Sequence, residues 1–187
     1  GNIFGFLNLV PYEMWRYIHD CHHNNVGNLD KRDLNPELWT MTVAEYKSSS
    51  KNKQLLYRMV RSKTSRLIFA PMVIFAIIFR IPHGRLSRPS IIAVVVYDIF
   101  YVIVIYFLLQ IMPLNKLLLI YGIPLYLFWV IASYVFYAQH QFEDTYWETQ
   151  DKWTYEEATF LGSTYLTSPR WFNWVTGNVG YHNIHHL

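Results

Sequence analysis

The chain has 187 residues, 52% hydrophobic, 18% aromatic and only 16% charged, with a net charge of +3. This excludes a disordered chain, a collagen-like fibre and, with Cys21 the single cysteine, a disulfide scaffold. So small a charge does not mark a nucleic-acid binder, and a mean hydropathy of +0.10 beside long polar stretches points to an integral membrane protein with apolar residues gathered into runs.

Residues 1–10 read as the tail of a membrane span. A polar stretch, 11–66, follows and opens on His19, His22 and His23, spaced His-x-x-His-His. Cys21 lies within this box, pointing away from the histidine face, and reads as packing. Within 47–66 stand seven basic residues, Lys47, Lys51, Lys53, Arg58, Arg61, Lys63 and Arg66. They suit anionic lipid headgroups, or an acidic electron carrier.

The apolar run 67–79 has an internal Pro71 and is short for a span, so an interfacial or re-entrant helix is expected. Residues 91–112 contain one charge, Asp98, and 117–138 contain none. At about 1.5 Å per residue each crosses a hydrocarbon core of about 30 Å as a helix. Pro113-Leu114-Asn115-Lys116 reads as the tight turn of a helical hairpin. Asp98 is costly inside a span and requires a partner or a water-filled cavity; the sequence names none. Of the 16 Lys and Arg residues all but Lys116 lie outside the hairpin, so the polar parts are expected to face the cytoplasm.

The final polar stretch, 139–187, opens with His140 and closes on a second His-x-x-His-His, formed by His182, His185 and His186. Aromatic residues around it, such as Phe136, Trp171 and Trp174, suit a membrane-interface belt or the wall of an acyl tunnel. His83 stands in a basic loop and reads as solvated.

Six of the eight histidines thus fall into two identical boxes. Positions i, i+3 and i+4 share one helix face, and neutral imidazole is a good ligand for iron, copper, nickel and zinc. One triplet is also what a polar helix face looks like; two make a metal site the stronger reading. The hairpin returns the chain to its starting side, so both boxes can share one site only if 67–79 does not cross. Its length says the same. His140 follows the second span directly and is the seventh candidate ligand. Asp20, Asp30, Glu143, Asp144 and Asn178 lie near the boxes and are candidates to support them by hydrogen bonds.

The motifs extend well beyond the histidines. They are W-R-x-x-H-x-x-H-H-x-x-x-G-N-L-D at 15–30, W-T-x-T-V-x-E-Y at 39–46, Q-H-Q-F-E-D-x-Y-W at 139–147 and G-N-x-G-Y-H-x-x-H-H-L at 177–187. In this order, with a hairpin between them, they resemble the membrane fatty acid desaturases, most closely acyl-lipid enzymes of the omega-6 (delta-12) type. The resemblance implies one all-α desaturase domain over 1–187, a two-span hairpin with a cytoplasmic cap carrying the boxes. It implies two non-haem irons, held by His19, His22, His23, His140, His182, His185 and His186, with Asp30, Asp144 and Asn178 in support. It also implies O2 as co-substrate, a fatty acyl lipid substrate, and an electron donor such as a ferredoxin or cytochrome b5. Family members carry an earlier H-x-x-x-H box, and none precedes His19, so an N-terminally truncated chain is expected. A related lipid hydroxylase or ketolase would share the boxes. A zinc or copper transporter is disfavoured, because ion pathways place polar ligands within spans and these boxes lie outside both long runs.

Overall fold

The computed structural model of the protein describes residues 1–34 and 39–187. In chain order the helices are α1 (Asn2–Leu7), α2 (Tyr12–Asn25), α3 (Val43–Ser48), α4 (Lys51–Arg61), α5 (Ala70–Ala76) and α6 (Arg88–Ile111). They continue with α7 (Leu114–Leu117), α8 (Ile123–His140), α9 (Tyr155–Leu161), α10 (Arg170–Val175) and α11 (His182–His185). No strand occurs among the described residues, only isolated bridges at Asn28–Glu148 and Tyr165–Tyr181. The chain is all-α, as expected, and divides into two compact units.

The first unit comprises Gly1–Ile18 and Met59–Ser133. It contains α6 and most of the continuous helical run Leu114–His140, 24 and 27 residues long with mean hydropathies of 2.6 and 1.9. Both are long and apolar enough to cross a membrane. Their outward side chains are apolar: Val102 is 70% exposed and Ile111 77%. Such surface is costly in water and costs nothing in lipid. Ser87 caps α6, its hydroxyl accepting from the Ser90 amide at 3.3 Å.

The hairpin connection is tighter than expected. Pro113 is already the N-cap of α7, so Leu114, Asn115 and Lys116 belong to the helix. Proline has no amide hydrogen to leave unpaired there, and its fixed φ leads readily into a first turn. The run 67–79 is part of a longer helical stretch, Ser65–Arg80, formed by a π-helical turn, α5 and a 3-10 turn. Sixteen residues at about 1.5 Å each reach about 24 Å, short of a hydrocarbon core on their own; together with α4, from which the stretch bends by 60°, they are long and apolar enough for a broken span or a re-entrant loop.

Asp98 has a partner after all. Arg80 Nη1 lies 2.5 Å from its carboxylate, and the same guanidinium donates to the Leu9 carbonyl. Three more side chains take up the preceding carbonyls: Tyr101 serves Phe6, Tyr121 serves Leu7 at 3.0 Å, and Trp129 Nε1 serves Asn8 at 3.0 Å. Four consecutive carbonyls at the end of α1 are thereby paired, as backbone away from water requires. Beneath them Val10, Met14, Ile18, Phe79 and Val94 form a buried apolar cluster.

The second unit comprises His19–Arg58 and Tyr134–Leu187 and holds all seven candidate ligands. Its segments are laced by backbone and side-chain bonds rather than by a large apolar core. Leu29 N donates to Glu148 O and Glu148 N to Gly27 O, both at 2.9 Å, while Trp153 Nε1 reaches Val26 O at 2.9 Å. Gly27 has φ +70, and a Cβ there would meet the Tyr146 carbonyl oxygen at 2.7 Å, so the position requires glycine. Thr164 N donates to Gln139 O at 2.9 Å, and Leu166 N to Gly180 O at 2.8 Å. These ties bring the end of α2, the end of α8 and α11 to one place.

Candidate metal centre

The histidines sort into two groups, and the sorting cuts across the boxes. His22, His140, His182 and His186 form one group, all buried; His19, His23 and His185 form the other, more open. Within each group the ligand nitrogens lie within 4.8 Å of one another. Each box divides the same way. On α2 the pair one turn apart, His19 and His23, enters the open group, and the i+3 residue His22 enters the buried one. At α11 the pair one turn apart, His182 and His186, enters the buried group, and His185 enters the open one. His140, from the end of α8, completes the buried set.

In the buried group Nε2 of His140 lies 2.9 Å from Nε2 of His22, 2.7 Å from that of His182 and 3.4 Å from that of His186. His182 and His186 are 3.2 Å apart. In the open group Nε2 of His185 lies 3.1 Å from His23 and 3.2 Å from His19. Two nitrogens bound at about 2.1 Å to one metal are about 3.0 Å apart at a right angle and about 3.4 Å apart at a tetrahedral one. The observed separations fall near those values. The two groups adjoin: the rings of His23 and His186 stack with centroids 4.2 Å apart.

Hydrogen bonding fixes the nitrogen that His140 presents. A carbonyl only accepts, so Nδ1 of His140 donates to Gly162 O at 2.9 Å and its Nε2 carries a lone pair into the cluster. Tyr155 OH donates to the His186 carbonyl at 2.6 Å and anchors the last turn. Phe136, one turn before His140, packs against His22 and His140 with centroids 4.9 and 5.1 Å away, screening that side from water.

Burial keeps these imidazoles neutral. Desolvation first, and then the neighbouring His185, lowers His19 to about 4; desolvation, then His19 and His185, lowers His23 to about 4. Desolvation followed by the other rings lowers His182 and His186 to about 2, and burial lowers His185 too. At neutral pH these five imidazoles are lone-pair donors without charge, which is what a cation requires of them. The donor set fits a pair of transition metals: imidazole only, with three or four nitrogens each.

Of the three residues expected to support the boxes, Asp30 and Asn178 bond to neighbouring backbone. The Asp30 carboxylate accepts from the Gln150 amide at 2.8 Å. Asn178 has φ 62 and forms the turn before α11, accepting from the Tyr181 amide at 3.0 Å. Asp144 is exposed, and no described contact joins it to a histidine. The Gly162 carbonyl and the Tyr155 hydroxyl do bond to the histidine residues directly. Neither belongs to a histidine motif, and a backbone carbonyl leaves no trace in residue type.

Comparison with known proteins gives a consistent picture. The family model for fatty acid desaturases matches residues 1–187. A fatty acid desaturase of Bacillus subtilis (strain 168) is 35% identical over 188 residues, covering 100% of this chain and 53% of that protein. An endoplasmic reticulum omega-3 fatty acid desaturase of Vigna radiata var. radiata is 28% identical over 208 residues, covering 100% of this chain and 50% of that protein. The chain therefore spans about half the length of these relatives. No solved structure matches it.

Proposed function

The chain belongs to the fatty acid desaturase family, and from that premise we propose that its seven clustered histidines hold two irons with which the whole protein desaturates a fatty acyl chain. The net reaction removes two hydrogens from adjacent methylenes. Dioxygen, two electrons and two protons are consumed, and two waters form. Two bound irons would supply dioxygen activation strong enough to abstract hydrogen from an unactivated carbon.

The observation that carries this reading is the division of both boxes between two imidazole groups. A single shared ion would not call for it; two ions side by side would. His22, His140, His182 and His186 would hold one iron, and His19, His23 and His185 the other. Gly162 keeps His140 in the ligating tautomer, and Phe136 excludes water beside it. Neutral imidazoles would leave the positive charge of two bound metals uncompensated, unlike the carboxylate-rich sites of helix bundles.

The substrate in this reading is a fatty acyl lipid in the bilayer, and electrons come from a carrier such as a ferredoxin or cytochrome b5. The site would face the cytoplasm, in keeping with the concentration of Lys and Arg outside the hairpin. The test is His140→Ala in the whole protein. Unsaturated product should fall sharply and bound iron by about half, to one per chain, while the protein remains in the membrane. Wild-type activity in that variant would overturn the assignment.

A further inference from the structure

Helix α4 presents its apolar side outward. At 3.6 residues per turn Leu55, Leu56 and Met59 fall within an arc of about 100°, and they are 51%, 53% and 60% exposed. The opposite side holds the helix in place. Gln54 Nε2 donates to the Tyr46 and Ser49 carbonyls at 2.9 and 3.0 Å. The Tyr57 ring packs on Trp39 and Tyr46 with centroids 5.3 and 5.7 Å away. This orientation is the reverse of the usual surface helix, whose apolar stripe faces the core. Exposed Lys51, Lys53 and Arg58 flank the ridge, and 47–66 contains seven basic residues and no acidic one.

We propose that α4 is an interfacial helix that lies on an anionic lipid surface, with Leu55, Leu56 and Met59 at the acyl boundary and Lys51, Lys53 and Arg58 on phosphate headgroups. Two helices of the chain are long and apolar enough to cross a membrane, so a lipid surface is a partner its composition already calls for. Charge complementarity selects acidic lipid. The ridge between the cations selects a partner with an apolar layer beneath its charges, which a bilayer has and an acidic soluble protein surface lacks. Long basic side chains suit this placement, since their stems lie along the apolar layer while their charges reach water.

The experiment uses the whole protein in vesicles of phosphatidylcholine with phosphatidylglycerol. A nitrobenzoxadiazole fluorophore is placed on a cysteine at Leu56 or Met59, with exposed Glu156 as control site. Aqueous iodide should quench positions 56 and 59 several-fold less than 156, and lipids bearing a nitroxide near the headgroup should quench them best. Replacing Lys51, Lys53 and Arg58 together by Gln should restore much of the iodide quenching. Hydroxyl-radical footprinting of the unsubstituted protein gives a second reading, with Met59 protected in these vesicles. Three results would overturn the proposal: iodide quenching equal to that at 156, protection arising only when an acidic electron carrier is added, or strongest quenching by nitroxides at the acyl chain ends. The last would make α4 part of a span.

Discussion

At the scale of single residues, the division of the histidines can be tested by pairing substitutions. Each group is expected to lose its metal when one member is lost, so two losses in one group should cost no more than one. His140→Ala with His186→Ala should retain about one iron per chain, whereas His23→Ala with His186→Ala should retain almost none; metal analysis of the purified variants checks this. A second residue-scale prediction follows from proton linkage. The folded imidazoles of His19 and His23 titrate near 4, below the ordinary 6.5, so the unfolded state binds more protons between these values. Their contribution to stability is present above pH 6.5 and is lost as pH falls toward about 4. The thermal midpoint of the metal-free protein should therefore be flat above pH 6.5 and fall below it. A midpoint that rises on acidification would contradict this.

At the scale of elements, the end of α1 depends on four side chains from later in the sequence. Asp98→Ala leaves Arg80 as an unpaired charge among apolar helices, and should destabilise the protein by roughly 3 kcal/mol. Tyr121→Phe removes the neutral hydroxyl that bonds the Leu7 carbonyl and meets the Tyr101 hydroxyl at 2.7 Å, and should cost about 1–2 kcal/mol. Unfolding in detergent at matched conditions would rank the two. Legibility varies at this scale. The spans are plain, because 22 nearly uncharged residues in a row have few other uses. The Arg80–Asp98 pair was not, because nothing local to either residue names the other across 18 positions. The turn at Pro113 is shorter than its residue types suggest, since Leu-Asn-Lys looks like loop although Pro113 caps the helix that contains it.

At the scale of the whole molecule, sequence spacing revealed the histidines but not their partition. The i, i+3, i+4 pattern says that three imidazoles share a helix face; it does not say that two go to one metal position and one to another. That depends on how α11, only four residues long, meets the end of α2, and on His140 standing between them. The scaffold that fixes the meeting is backbone bonding around Gly27, Gln139 and Gly162, which residue type barely encodes. Asp30 and Asn178 take part in the same bonding, through Gln150 N and Tyr181 N.

The most direct test of the central claim is iron-edge X-ray absorption of the purified whole protein. Seven imidazoles from this chain shared by two irons predict at least three to four nitrogen neighbours per iron at about 2.1 Å in the whole protein, with the outer-shell scattering of imidazole rings. A shell dominated by carboxylate and water oxygens, without imidazole scattering, would contradict it.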